Sequence, residues 1–170
     1  DQINIFNQYV DILGSKLTIV DNMDETGEIT TSQTTSVEGI EQLFHKILQE
    51  KEMGNKFDVI IIDYYQNVSE SLENPGAATW QNQERFSNMI DQFKNVVDCP
   101  IVLMAQKKAS KDDTNDGTYK DLVEGRKSIS NKATSILEVK ADKNNFRTEF
   151  VIKKSRWSSA NGKSIYTGYD

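Results

Sequence analysis

The apolar residues of this chain fall in short, dense blocks that are separated by polar stretches. Two blocks keep the three-to-four-residue spacing of an amphipathic helix, Val37–Leu48 and Trp80–Val97. Two others are continuous and rich in β-branched residues, as in strands buried on both faces of a parallel sheet, Phe57–Asp63 and Pro100–Ala105. Strands and helices therefore alternate along the chain, which predicts βαβ units and an α/β fold.

Polar residues next to the helical blocks predict where the two helices begin and end. Thr35 and Glu38 form the pattern of a capping box at the start of the first helix, and Gly54 follows its last apolar residue. Asn74–Pro75 predicts the start of the second helix, because asparagine is a good N-cap and proline suits the first helical position.

The segment before the first of these helices predicts further elements. The apolar stripe of Ile5–Leu13 predicts a short helix that ends near Gly14. The β-rich block Leu17–Val20 predicts a strand, and the polar stretch Asn22–Ser36 predicts a loop. Because the chain opens on Asp1 in what reads as the middle of a packed structure, we expect a fragment of a longer protein.

The last third of the chain combines a long polar segment with alternating blocks. Lys107–Lys120 is longer than an ordinary connection, so we expect a loop with a function. Asp121–Lys132 has weaker helical spacing. Three alternating segments predict antiparallel strands that complete the sheet: Ser135–Lys140, Thr148–Lys154 and Ser164–Tyr169.

Composition narrows the class of protein. The chain has 170 residues, of which 36% are hydrophobic and 27% charged, which suits one domain over residues 1–170. One cysteine and one histidine exclude a disulfide framework and a Cys/His zinc site, and we expect a reducing, cytoplasmic setting. The longest apolar run, Val59–Ile62, is far shorter than the roughly 20 residues of a membrane span, so we expect no membrane contact.

Charge is unevenly distributed along the chain. Residues 1–100 contain 6 Lys or Arg and 17 Asp or Glu, whereas residues 101–170 contain 14 and 9, so the two parts carry net charges of −11 and +5. The basic part suits contact with the phosphates of a nucleotide or a nucleic acid. The alternative is an ordinary solvated, lysine-rich surface.

Asp63 is the first candidate for chemistry, because it directly follows a predicted parallel strand. Ligands of open α/β sheets bind at the carboxyl ends of the strands, where an acid can hold Mg²⁺ through its waters. The alternative is an Asp that only caps the next turn.

Four segments resemble, in the correct order, the motor domain of the DnaB-type replicative helicases. Val59–Gln66 resembles the Walker B strand of that family, in which an aromatic residue and then Gln follow the Asp. Pro100–Gln106 is similar to the next strand with its terminal Gln. Asp121–Ala133 looks like a weakened form of a later segment of the family, and Val151–Arg156 is similar to a late strand that carries Lys and Arg.

The resemblance implies a RecA-like, three-layer α/β/α core with a mostly parallel sheet, incomplete at its N-terminus. It implies that Asp63 orders Mg²⁺ and that Gln106 senses the γ-phosphate of ATP. It also implies that Lys154 and Arg156 reach the nucleotide of a neighbouring subunit in a ring, a hexamer in this family. A metal ion, a polar sensor and an arginine finger are the parts that phosphoryl transfer needs. On an isolated edge strand, Lys154 and Arg156 would instead be alternating surface charge.

The resemblance also implies binding partners. These are single-stranded DNA and a primase or helicase loader. The matching stretches for DNA contact are residues 66–79 and 107–120, in which Lys107, Lys108 and Lys111 would neutralise backbone phosphates. The alternative for this lysine-containing stretch is a solvated loop, since Asp112, Asp113 and Asp116 offset its charge.

One part of a nucleotide site is missing from the sequence. The phosphate-binding loop G-x-x-x-x-G-K-[ST] does not occur in the 170 residues. Gly162-Lys163-Ser164 is not a substitute, because Trp157 stands where the first Gly belongs and Asn161-Gly162 predicts a hairpin turn. In the family this loop lies N-terminal to the part present here, so we expect no ATP hydrolysis by this chain alone.

Two other interpretations remain open at this stage. The first is a RecA-like ATPase of the recombinase or clock-protein type, although Tyr64-Tyr65-Gln66 after Asp63 favours the helicase. The second is a non-catalytic interaction module that keeps the RecA-like sheet without the phosphate-binding loop.

Overall fold

The computed structural model describes residues 14, 16–20, 35–106, 127–142 and 144–168. The predicted helix at Ile5–Leu13, most of the loop at Asn22–Ser36 and the polar segment Lys107–Lys120 lie outside these residues. The helices are α1 (Val37–Glu52), α2 (Thr79–Phe93) and α3 (Lys127–Lys132). The strands are β1 (Ile60–Ile62), β2 (Ile101–Leu103), β3 (Ser135–Asp142), β4 (Arg147–Ser155) and β5 (Ser164–Gly168), and a short 3₁₀ turn spans Tyr65–Asn67.

The strands form one parallel pair and one antiparallel sheet. β1 pairs with β2 in parallel, with Ile60 opposite Ile101 and Ile62 opposite Leu103. The antiparallel sheet has the order β3-β4-β5. The sequence correctly predicts these three C-terminal strands, but it is wrong that they complete the first sheet, since in the described part of the chain β3 does not pair with β2. A cleft separates the two strands instead.

The core lies between the parallel pair and the apolar faces of α1 and α2. Phe44 of α1 stacks on Phe93 of α2 with ring centroids 4.7 Å apart. The remaining buried apolar side chains come mainly from both helices and the turn after β1, and the isoleucines and leucine of β1 and β2 pack against them from the sheet side. Burial of this apolar surface is the main force that holds the helices on the sheet.

The prediction that β1 and β2 are buried on both faces is wrong for the described residues. Ile60 and Ile62 face the helices, whereas Val59, Ile61 and Val102 are 43 to 58% exposed. The block is apolar at every position, yet only one of its two faces is covered by α1 and α2.

The strand predicted at Leu17–Val20 is also absent from the described residues, and this prediction is wrong. The segment has no strand hydrogen bonding there, and its apolar side chains are 47 to 75% exposed. A β-rich block becomes a strand only when another strand satisfies its main-chain groups, and sequence propensity does not supply that partner.

The two long helices are confirmed, but their caps differ from the prediction. Ser36, not Thr35, caps α1, because its Oγ accepts a hydrogen bond from Gly39 N at 3.0 Å. Gly54 ends α1 with φ +93°, where it donates to the Lys51 carbonyl, as in a Schellman motif.

The start of α2 is later than predicted. α2 begins at Thr79, and the side chain of Gln81 accepts a hydrogen bond from Ala78 N at 3.0 Å. Asn74–Pro75 belongs to a preceding turn, which is closed by a 2.9 Å hydrogen bond from Ala77 N to the Asn74 carbonyl. A proline is compatible with either position, because both leave its missing N–H group without consequence.

The turn predicted at Asn161-Gly162 is confirmed. Gly162 has φ +80°, and its N–H donates to the carbonyl of Ile152 at 2.7 Å between β4 and β5. Gly162-Lys163-Ser164 therefore leads into a β-strand, not into the helix that a phosphate-binding loop requires. Within the described ranges, no helix is long and apolar enough to span a bilayer.

Candidate functional site

The carboxyl ends of β1 and β2 are held together by hydrogen bonds that continue past the last ladder pair. Met104 N donates to the Ile62 carbonyl at 3.0 Å, and Tyr65 N donates to the Met104 carbonyl at 2.8 Å. Asp63 and Gln106, the two predicted nucleotide-contacting residues, follow these strands at the same edge of the sheet. This is the edge at which parallel α/β sheets bind ligands.

Tyr65 anchors the turn that carries Asp63. Its side chain is fully buried, its ring lies 5.8 Å from that of Phe86, and its hydroxyl donates to the Gln83 carbonyl at 3.4 Å. The peptide bond between Asp63 and Tyr64 is cis. Tyr65 thus belongs to the core, which leaves Asp63 at the surface on a fixed turn.

Asp63 fits the role of a carboxylate that holds Mg²⁺ through water. Its side chain is exposed, and within the part of the chain that the structure describes its carboxylate has no hydrogen-bond or ion-pair partner. The described residues contain no cluster of three or more metal-ligating side chains. Mg²⁺ that keeps most of its waters and bridges to phosphates needs only one or two carboxylates, so a single Asp is sufficient.

Gln66 is a site residue to which the sequence pattern assigns no role of its own. Its Nε2 donates to the carbonyl of Gln106 at 3.1 Å, and its Oε1 accepts from Gln106 N at 3.1 Å. The side chain thus ties the turn after β1 to the main chain after β2. The only signal in the sequence is its place three residues after Asp63, within the segment that resembles the helicase motif.

Lys154 and Arg156 lie on the second sheet, where they contact the last turn of α3. Lys154 Nζ donates to the carbonyls of Ser130 and Asn131 at 2.8 and 2.9 Å. Arg156 Nη2 donates to the same Asn131 carbonyl at 2.9 Å. The last carbonyls of a helix lack partners within the helix and carry partial negative charge, so two cations stabilise this end of α3.

The positive charge of Arg156 extends to α2. The pKa of Asp91 is lowered, first by its hydrogen bond with Lys94, against the raising effect of burial, and further by the charges of Lys94, Lys132 and Arg156. Lys94 also forms an ion pair with Asp91. Three cations therefore converge on one carboxylate where α2, α3 and the end of β4 meet.

The predicted DNA-contacting residues Lys107, Lys108 and Lys111 lie outside the described residues, and their roles stay predictions. Gln106 is the last described residue before that segment.

A cleft of about 1020 Å³ lies between β2 and β3 and reaches Gln106 at one end. It is lined by consecutive residues on both sides, Cys99–Gln106 and Ala133–Val139. Because successive residues of a strand point to opposite faces, a lining of consecutive residues means that the edges of both strands border the cleft. Its dimensions and its two strand edges suit an extended segment of chain.

Comparison with solved structures reveals two similar folds at low sequence identity. The structure of a DnaB-like replicative helicase and its interactions with primase aligns with a TM-score of 0.63 over 80% of this chain, at 16% identity. The structure of a second ATPase domain aligns with a TM-score of 0.60 over 78% of this chain, at 15% identity. This α/β fold is therefore similar to that of helicase ATPase domains.

This chain covers 34% of the DnaB-like helicase chain and 47% of the chain of the second ATPase domain. Neither a protein-family profile nor a curated protein matches the sequence.

Proposed function

We propose that this chain is the C-terminal part of the ATPase core of a ring-forming DNA helicase, in which ATP hydrolysis drives movement along single-stranded DNA. The observation that carries the proposal is the placement of Asp63 and Gln106 on neighbouring parallel strand ends, in a fold similar to helicase ATPase domains. The full core would have the three-layer α/β/α architecture of RecA-like motors.

Asp63 and Gln106 would act on the ATP phosphates. ATP–Mg²⁺ bound at this edge supplies the phosphoryl group and the metal charge that phosphoryl transfer requires. Asp63 would hold the waters of the metal, and Gln106 would donate a hydrogen bond from its side-chain amide to the γ-phosphate. Both side chains are exposed at the strand ends, where a ligand has access to them.

Lys154 and Arg156 would act on the nucleotide of the neighbouring subunit. The exposed Arg156 guanidinium is held by α3 on the second sheet, at the end of β4, and is not part of the strand edge that carries Asp63. An arginine in that position can stabilise the charge of the transition state when it enters from an adjacent subunit.

The phosphate-binding loop would be supplied by another segment of a longer protein. The cleft between β2 and β3 has strand edges on both sides, and a strand inserted there would join the two sheets into one. A loop that follows such a strand would begin near Gln106, at the carboxyl ends of the parallel strands.

Nucleic acid and protein partners follow from the same proposal. Lys107, Lys108 and Lys111 would contact the phosphates of single-stranded DNA in the channel of a hexameric ring. Primase is a further candidate partner, because the similar DnaB-like helicase was solved with its interactions with primase. A helicase loader is another.

The substitution Asp63→Asn in the full-length protein tests the proposal. We expect it to weaken Mg²⁺-dependent nucleotide binding, because the neutral amide no longer attracts the hydrated cation. Titration of a fluorescent ATP analogue at increasing Mg²⁺ measures this effect. Asp58→Asn is the matched control, since Asp58 is exposed on the same segment before the opposite end of β1. Superimposable titrations of the wild type and Asp63→Asn would refute the metal role.

A non-catalytic interaction module is the second candidate function, favoured by the lack of a phosphate-binding loop in these 170 residues and by the exposed apolar face of β1 and β2. The two candidates differ in assembly. The motor forms rings in response to ATP and Mg²⁺, whereas the module associates regardless of nucleotide, and sedimentation velocity with and without ATP distinguishes them. A RecA-like ATPase of the recombinase or clock type would share the ATP response but would not unwind duplex DNA.

A further inference from the structure

We propose that Gln66 is a positioning residue, whose side-chain amide fixes the main chain of Gln106 and thereby sets the place of the Gln106 side chain relative to Asp63. The inference rests on the proposed function, because it assigns Gln66 a part in presenting Gln106 to the γ-phosphate.

The contact between Gln66 and Gln106 has two points. The amide of Gln66 donates to the Gln106 carbonyl and accepts from the Gln106 N–H, both at 3.1 Å. One hydrogen bond leaves a residue free to rotate about it, whereas two antiparallel bonds to the same residue fix its orientation. The Gln66 side chain thus takes the place that a neighbouring strand would have beside Gln106.

The base of this clamp is rigid. Gln66 lies in a 3₁₀ turn whose first residue, Tyr65, is fully buried and bonded through its N–H to Met104. Val68, just after the turn, is 1% exposed and donates to the Tyr65 carbonyl at 3.2 Å. The Gln66 main chain therefore moves with the core, and its side chain transmits that fixed position to Gln106.

The clamp acts where the sheet itself no longer holds the chain. The β1–β2 ladder ends at Ile62 and Leu103, and the bonds of Met104 extend it by one residue. Gln106 lies two residues farther along, is exposed, and has both of its main-chain hydrogen-bonding groups bound to Gln66. A sensor side chain works only within a few tenths of an ångström of its target, so its main chain needs this support.

The substitution Gln66→Ala in the full-length protein is expected to lower the kcat of ATP hydrolysis by about 10- to 100-fold, with KM for ATP changed less than about twofold. The exposed Gln92→Ala on α2 is the matched control and should retain wild-type kinetics. In a double-mutant cycle, Gln66→Ala should have little further effect in a Gln106→Ala background, because it acts through Gln106. Additive losses would overturn the inference.

Gln66→Glu gives a test that a merely structural role would not pass. The ionised carboxylate keeps the acceptor for Gln106 N–H but places a negative charge against the Gln106 carbonyl. The protonated carboxyl group donates to that carbonyl again, as the amide does. Amide NMR should therefore show the Gln106 signal of this variant moving toward its wild-type position as the pH falls through the carboxyl pKa. A pH-independent Gln106 signal would overturn the inference.

Hydrogen exchange provides a readout that is independent of catalysis. In Gln66→Ala, the Gln106 amide should exchange at least about tenfold faster, while the amide of Met104, which is bonded to Ile62, should not change. An unchanged Gln106 rate would overturn the clamp. If Asp63→Asn and Gln106→Ala leave ATP hydrolysis unaltered, the proposed function fails. If those two abolish hydrolysis while Gln66→Ala stays within about twofold of the wild type, only the role of Gln66 fails.

Discussion

Glu38 shows at the scale of a single residue how a pattern is reused by the fold. Its spacing from Thr35 predicts a cap for α1, but its carboxylate accepts hydrogen bonds from Ser71 Oγ at 2.7 Å and Leu72 N at 2.9 Å. Arg85 of α2 pairs with it at 3.0 Å. One nearly buried carboxylate therefore joins the start of α1, the segment after the 3₁₀ turn and α2.

These contacts change the pKa of Glu38. Burial raises it, but the hydrogen bonds from Ser71 and Leu72 and the charge of Arg85 outweigh burial and lower the pKa from 4.5 to about 2. Because the pKa is depressed in the folded state, the carboxylate contributes stability in full above about pH 4.5. That contribution is lost as the pH falls from 4.5 toward 2.

We predict that Glu38→Gln lowers the free energy of unfolding at pH 7 by about 3 kcal/mol, from the size of the pKa shift. The variant should also lose less stability than the wild type between about pH 4.5 and pH 2.5. Urea denaturation at these pH values measures both effects. Glu41→Gln, an exposed position on the same helix, is the control. Equal stability losses in the two variants at pH 7 would contradict the prediction.

At the scale of elements, hydrophobic periodicity predicts α1, α2 and the strands β1 to β5. The periodicity follows from which face of each element is buried, so it survives in the sequence alone. The caps depend on single polar contacts, such as that of Ser36 with Gly39, for which Thr35 is an equally good candidate by composition. Helix type is therefore predictable, whereas the exact ends are not.

The candidate site is predictable to a similar extent. Asp63 and Gln106 follow apolar strands, and strand ends can be read from an apolar run. Gln66 has no such signal, because its partner is a main-chain group 40 residues away and any residue at position 106 offers the same groups. Leu17–Val20 fails in the opposite way, since its composition favours a strand but pairing depends on a partner elsewhere.

Arg156 belongs to the contact between β4 and α3, and its prediction is argued at this scale. In the full-length protein, Arg156→Ala should lower ATP hydrolysis by about 10³-fold or more and leave nucleotide binding nearly intact, because a finger acts in trans on the transition state. Steady-state kinetics and nucleotide titration measure the two quantities.

The matched control for Arg156→Ala is Arg147→Ala, an arginine at the other end of β4 that pairs with Asp142. Its ATP hydrolysis should remain near that of the wild type. Loss of nucleotide binding in Arg156→Ala would contradict a role in trans. It would instead indicate that the contact of Arg156 with Asn131 supports the fold of α3.

At the scale of the whole molecule, the two sheets are the main departure from the predicted fold. Each of β2 and β3 has a hydrogen-bonded neighbour on one side only within the described ranges, and their other edges border the same cleft. Unpaired strand edges invite another strand. A third strand between them would satisfy both edges at once and would turn two small sheets into one.

We therefore predict that the amides of β2 and β3 exchange hydrogen more slowly in the full-length protein than in the 170-residue chain. Main-chain groups that face the cleft gain partners when a strand occupies it, and exchange then requires that strand to leave. Hydrogen-exchange mass spectrometry of both proteins measures the difference. β4, paired on both sides in the described structure, serves as the internal control and should be protected equally in each. Equal exchange in β2 and β3 would mean that the cleft stays open in the longer protein, which would favour the interaction module over the motor.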